Sequence, residues 1–385
     1  MKNIAIIGTG SISALHIEGI LKFPEKAKII ALVDTNTEQA KKKQEQYELI
    51  DAQIFSSHQE LIKSGLKVDL VHIATPPYTH APISIDCMDA GINVLVEKPM
   101  ATCIKECDEM IAAAEKNGVT LAVVAQNRFR DTVHRLKEIA HSGIAGNIRA
   151  AHVNSFWWRG LPYYDLWWRG TWEKEGGGPT LNHAVHHIDM INWIQGKMPT
   201  EVTSVLTNVM HNNSEVEDLS FATLKYDDGA VASVTSSVVH HGEEQGIELQ
   251  CEHAKIATPF AVAAQITKSN GFGEKNQELI DKITDTYNNI KSLDHEAHAG
   301  QIGELLDALE QGRTPAITGQ DGKNTIELIT AIYKAGFEKR TVELPIKPDD
   351  EYYTFDGLLK NAPRFYKKAE SKESLGDDQI TTGNY

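Results

Sequence analysis

The stretch KNIAIIGTGSISALHIEGILKF, residues 2–23, decides the fold. It opens with an Ile-rich run that has no polar alternation, the pattern of a parallel strand buried on both faces. The run ends in Gly8-Thr9-Gly10-Ser11-Ile12-Ser13, a GxGxxG pattern with serine in the third place, and a helical stretch follows. Gly8 supplies the tight turn, Gly10 lets backbone approach a pyrophosphate, and the third position needs only a small residue for close helix-to-strand packing. The turn at Ser11 and Ile12 opens the helix, whose free N–H groups and positive dipole end face the phosphates.

Working outward, a second apolar run at 29–33 ends in Asp34, about 20 residues beyond the turn, where a carboxylate hydrogen-bonds an adenosine ribose diol. A carboxylate there repels a 2′-phosphate, so NAD is expected over NADP, with Thr35 beside it. The alternation continues with a solvated helix around KKKQEQYE, a strand at 68–74, a helix at 80–90 and a strand at 92–96. This rhythm predicts a doubly wound parallel sheet, which takes ligands at the carboxyl ends of its strands. Ala74, Thr75, Pro76 and His80 stand at one such end, Glu97 and Lys98 at another. A lysine directly after a buried strand and before a proline is placed at the cofactor edge; His80 reads equally as the start of its helix.

The chain of 385 residues exceeds the size at which single cores stop growing, so two domains are expected. Its formal charge of −15 argues against nucleic acid or an anionic membrane as partner. Residues 1–10 do not resemble a signal peptide and no apolar stretch approaches about 20 residues, so a cytoplasmic protein is expected. The four cysteines lack CxxC spacing and read as reduced thiols.

From 148 the texture changes to strand-like runs at 148–157, 201–209, 217–226, 230–240 and 246–252, with Asp228-Gly229 as a hairpin signal. Two amphipathic helices follow, around 294–312 and 322–339, then an edge strand at TVELPI and a polar tail, SKESLGDDQITTGNY, read as mobile or draped on a neighbour. The segment SFWWRGLPYYDLWWRGTWEKE holds five of the six tryptophans, with Arg159, Asp165 and Arg169. Such a composition suits a cleft for pyranose rings and suits an interface equally.

GGGPTLNHAVHHIDM, residues 176–190, carries three histidines behind a glycine run. A helix starting near Leu181 would put Asn182, His186, Asp189 and Trp193 on one face, with Ala184, Ile188 and Ile191 on the buried side. His183 and His187 lie one turn apart, but no third ligand is evident and no metal is expected. His187, bordering the apolar side, reads as packing.

Taken together, the glycine turn, ATPPYTH, EKP and GGGPTLNHAVHHID resemble the Gfo/Idh/MocA family, the glucose-fructose oxidoreductase and inositol dehydrogenase group, from residue 2 to about 345. The resemblance implies a Rossmann domain followed by an α/β domain with a large, mostly antiparallel sheet whose face forms homodimers or homotetramers. Its expected boundaries are 1–126 for the nucleotide domain, 127–350 for the substrate and oligomerisation domain, with the C-terminal helices packing back on the first, and 351–385 for the tail. It also implies hydride transfer between a ring carbinol of a sugar or cyclitol and a nicotinamide. Lys98 matches the family's lysine beside the nicotinamide and His186 its catalytic histidine. Asn182 stands where inositol dehydrogenases often carry aspartate, which weakens that specific assignment. Asn182 or Asp189 would orient the histidine or a hydroxyl. Gln126 and Arg169 complete the expected cofactor contacts, and Arg128, Trp157, Arg159, Tyr163, His183 and His240 the substrate contacts. Two rivals stand beside this reading: a redox-neutral glycosidase using transient oxidation, and a non-catalytic dinucleotide sensor.

Overall fold

Strand β1 (Lys2–Ile7) runs through the first sheet with Ile4, Ala5 and Ile6 wholly buried, as an Ile run without polar alternation requires. The computed structural model describes residues 1–368, Ser371 and Lys372; most of the polar tail, 373–385, lies outside the described residues. Around β1 stand β2 (Ala27–Val33), β3 (Gln53–Phe55), β4 (Leu70–Ile73), β5 (Asn93–Val96) and β6 (Leu121–Val123). All pairs are parallel, in the order β3-β2-β1-β4-β5-β6. The order reverses beside β1, so the carboxyl ends of β1 and β4 flank the switch point at which such sheets take ligands.

This compact unit comprises Met1–Arg130 and Leu293–Ile326. The helix Ala297–Gln311 sends Ile302, Leu305 and Leu306 into one core with Ile17 and Ile20 of the helix Ser13–Leu21. Residues 293–326 therefore group with the nucleotide sheet, within the block 127–350 whose C-terminal helices were expected to pack back on the first domain. An amphipathic stripe shows that a helix has a buried face, but not which sheet receives it.

The second unit comprises Asp131–Ser292 and the chain from Glu327. Its strands are β7 (Ile148–Phe156), β8 (Glu201–Thr207), β9 (Leu219–Lys225), β10 (Val231–Ser237), β11 (Gln245–Cys251), β12 (Ala254–Thr258), β13 (Ala261–Thr267), β14 (Gly273–Lys275) and β15 (Val342–Glu343). They form one sheet in the order β14-β13-β12-β11-β7-β10-β9-β8-β15, antiparallel throughout except for the parallel pair of β7 and β10. The Asp228-Gly229 turn joins β9 to β10, with Gly229 at φ +82. TVELPI becomes the two-residue edge strand β15 beside β8. Among the described residues no helix is long and apolar enough to cross a membrane.

Candidate functional site

The glycine turn after β1 is built as its sequence dictates. Gly8 has φ +92, and a Cβ there would lie 2.6 Å from the Ala74 carbonyl oxygen, so the turn and the end of β4 approach only through glycine. Thr9 donates its N–H and its hydroxyl to Asp34 Oδ2, each at 2.8 Å, and Asn36 N–H reaches Oδ1 at 2.8 Å. The carboxylate is thereby fixed at the end of β2. A Cβ on Gly10 would meet nothing within 4 Å, which leaves open space above the turn where a pyrophosphate sits in this fold. Ser11, Thr35 and Pro76 are exposed, Ile12 and Thr75 half-buried, and Gln126 keeps a buried Oε1 with no hydrogen-bond partner among the described residues. An open cradle, a fixed ribose-facing carboxylate and an unused acceptor fit a bound dinucleotide.

Lys98 is half-buried at the end of β5, and its backbone N–H donates to Glu97 Oε2 at 3.0 Å. Glu97 Oε1 lies 3.1 Å from His16 Nε2 and 3.3 Å from His298 Nε2, while His16 Nδ1 meets His72 Nδ1 at 3.0 Å. Burial alone would raise the Glu97 pKa, but hydrogen bonds from the two imidazoles outweigh it and hold the carboxyl well below its ordinary range. Among the described residues this is the one group of three whose candidate metal-ligating atoms lie within 4.8 Å of one another; His183 and His187 join no such group.

Two residues expected to touch a ligand are buried, with partners inside the nucleotide unit. His80 is fully buried, with Nδ1 2.8 Å from the Pro99 carbonyl and Nε2 2.8 Å from the Thr75 carbonyl, so it staples the two cofactor-edge loops together. Both ring nitrogens are thus engaged by backbone beside the expected cofactor edge. Arg128, expected as a substrate contact, is buried and pairs with Asp321 at 3.0 Å within the nucleotide unit.

In the second unit, the glycine run folds over a buried carboxylate. Glu217 accepts from Gly178 N–H at 3.0 Å, Thr180 N–H at 3.1 Å and the Tyr333 hydroxyl at 3.1 Å. Burial pushes its pKa up to about 7. Asn182 Nδ2 donates to the carbonyls of Gly177 at 2.7 Å and Gly178 at 3.2 Å, closing the turn from the other side. The expected single helix from Leu181 is in fact two, Pro179–Asn182 and Val185–Gln195, parted at His183 and Ala184. The buried side holds Ala184, Ile188 and Ile191 as expected, and Asp189 is buried too, at 7% exposure. His186 and Trp193 are half-buried. His187 is fully buried, and burial lowers its pKa to about 4.

The aromatic segment surrounds His183. The Trp157 ring lies 5.5 Å and the Tyr163 ring 6.0 Å from the His183 ring, and the Arg159 guanidinium sits over Trp157 and Tyr163 while pairing with Glu243 at 2.7 Å. His240 stacks on Phe156 at 4.0 Å. Arg169, expected as a cofactor contact, is gripped by Glu175 at 2.8 Å between the rings of Tyr163 and Trp168, each 4.0 Å away. Glu175, Glu217 and His16 were not singled out from the sequence. Glu217 is reached by Gly178 from 39 positions away and His16 by Glu97 from 81, whereas Glu175 lies only six positions from Arg169.

Residues 2–125 match the family described as "Oxidoreductase family, NAD-binding Rossmann fold", and residues 133–257 match the GFO/IDH/MocA C-terminal domain. The chain is 26% identical over 370 residues to 2,7-anhydro-N-acetylneuraminate hydratase of Mediterraneibacter gnavus, spanning 88% of this chain and 96% of that protein. It is 24% identical over 345 residues to myo-inositol 2-dehydrogenase of Thermotoga maritima, spanning 89% and 98%. The WlbA dehydrogenase of Bordetella pertussis, solved with NADH and UDP-GlcNAcA, superposes with a TM-score of 0.75 at 26% identity, covering 90% of this chain and 99% of that one.

Proposed function

Because the chain belongs to the GFO/IDH/MocA oxidoreductase family, which binds NAD through its Rossmann domain, we propose that it is a dehydrogenase for a ring carbinol of a sugar or cyclitol. When bound, the nicotinamide takes up or returns hydride. His186, half-buried on an otherwise buried stretch of helix, accepts the hydroxyl proton, a task suited to an imidazole near neutral pH. The Lys98 ammonium stabilises the developing alkoxide. Asn182, its amide nitrogen tied to the glycine turn, offers Oδ1 to a substrate hydroxyl. The observation that carries the reading is the aromatic and arginine cluster around His183, three residues from His186, which offers apolar faces and donors to a pyranose.

The fixed Asp34 carboxylate supports NAD over NADP. Val205 and Phe221, paired across β8 and β9, and Val231 are exposed on one sheet face and support a homo-oligomer, which sedimentation velocity tests. The main test is a spectrophotometric screen of inositols, aldoses and glycosides with NAD and NADP. We predict that His186→Ala and Lys98→Ala each lower kcat by at least about 100-fold, the usual range for acid-base groups; near-wild-type turnover by both variants would sink the mechanism.

A second reading makes the oxidation transient and the net reaction redox-neutral, as in the rival glycosidase. It is favoured by the relative named a hydratase, whose reaction has no net redox change. Product release without accumulation of reduced nicotinamide would select it.

A further inference from the structure

The aromatic segment has little regular structure of its own, only a turn at Leu161–Asp165 and a short helix at Trp172–Glu175. Asn213 Nδ2 holds it at the Leu161 carbonyl and Asp165 Oδ1, each at 3.0 Å, and a second set of bonds comes from Pro363, Lys368 and Lys372. Lys368 Nζ donates to three carbonyls of this one loop, those of Tyr164, Leu166 at 2.7 Å and Arg169 at 2.8 Å. An ammonium has three donors, and all three are spent here. Lys372 adds its backbone N–H to the Asp165 carbonyl at 2.7 Å and its Nζ to Asp165 Oδ2 at 2.9 Å, while Trp167 N–H donates to the Lys372 carbonyl at 2.9 Å. Upstream, the Trp172 indole N–H is capped by the Pro363 carbonyl at 2.8 Å.

The three carbonyls lie in the turn that runs from Tyr163 to Arg169, whose side chains stack at 4.0 Å, and Tyr163 reaches the ring of His183. We propose that Pro363, Lys368 and Lys372 strap the aromatic loop beside the histidine helix, with Lys368 as the positioning residue that sets affinity for the sugar ring. The inference rests on reading this loop as the sugar-binding surface. Without the ammonium, three carbonyls turn toward one another with no donor between them, and the loop must be ordered anew by each substrate molecule.

The experiment uses the full chain with Lys368→Met, and with Lys372→Ala as a milder variant should the first fail to fold. Amide hydrogen exchange over 161–169 is measured without any substrate, and KM and kcat are measured with NAD and the polyol that the wild type turns over best among myo-inositol and glucose. We expect faster exchange in the loop with the sheet strands still protected, and a polyol KM raised about 10-fold as binding takes on the cost of ordering the loop. KM for NAD should stay unchanged. A Lys368→Cys variant alkylated with 2-bromoethylamine regrows an ammonium and should restore both protection and KM. Unchanged loop exchange in both variants overturns the strap, whatever the substrate. Faster exchange with an unchanged polyol KM keeps the strap but overturns Lys368 as an affinity determinant and the loop as the sugar surface.

Discussion

Glu97 Oε1 lies 3.1 Å from Nε2 of His16, a residue on the helix that opens at the glycine turn, while Oε2 of the same carboxylate holds the Lys98 backbone N–H. The segment bearing the proposed alkoxide-stabilising lysine is thus tied to the helix that faces the pyrophosphate. Glu97→Gln keeps the shape but offers only one acceptor oxygen, so its amide must confront either the imidazole nitrogens or the Lys98 N–H. An unsatisfied buried donor costs about 1–3 kcal/mol, and we predict a stability loss of that size in urea denaturation, accompanied by a lower kcat. Wild-type values of both would remove this role from Glu97.

Asp34 is held by Thr9 and Asn36 and does not swing away from a 2′-phosphate without breaking three hydrogen bonds. At an effective dielectric of about 20, like charges about 4 Å apart repel by on the order of 4 kcal/mol. Asp34→Ser should therefore raise the NADP-to-NAD ratio of kcat/KM by at least about 10-fold, given the discount that an only partly buried carboxylate requires. An unchanged ratio would mean that selectivity lies elsewhere.

These two relationships show what was legible in the sequence. The buried β1, the turn at Gly8 and Gly10, Asp34 and Lys98 were readable because each is fixed by neighbours within a strand-turn-helix unit. Glu217, His16 and Lys368 were not, since each acquires its role from partners more than 35 residues away, as the Glu217 and Gly178 pair illustrates with a separation of 39 positions. The break at His183 and Ala184 was hidden for another reason. Neither residue is a helix breaker, so periodicity ran on through a point that the tertiary structure bends. The pairing of Arg128 with Asp321, 193 positions away, was hidden because that carboxylate is chosen in space.

The glycines of the two motifs should respond in opposite ways to alanine. A Cβ on Gly178 would lie 1.9 Å from the Glu217 backbone oxygen, which cannot yield without moving β9's approach, whereas a Cβ on Gly10 meets nothing. We predict that Gly178→Ala destabilises by at least about 1–3 kcal/mol, the range for overpacking. Gly10→Ala should leave the Tm of the cofactor-free protein unchanged while weakening NADH binding in a fluorescence titration. Equal Tm losses in both would contradict the open cradle.

Glu217 makes stability fall as pH rises. Its folded pKa of about 7 exceeds the ordinary 4.5, so between these values the folded state holds a proton that the unfolded chain has released. The stabilisation is full below the unfolded value and declines through the folded one, by about 3 kcal/mol in all at 1.36 kcal/mol per unit. His187 acts in the opposite sense: its folded pKa of about 4 lies below the ordinary 6.5, so acid destabilises the fold through it. The total pH profile therefore mixes the two, and the difference between wild type and Glu217→Gln isolates the carboxyl. Urea denaturation from pH 5 to 8 should show the advantage of the wild type over Glu217→Gln shrinking with rising pH and levelling off above about 7. A difference that stays flat across this range would show that Glu217 titrates normally despite its burial beneath the glycine turn.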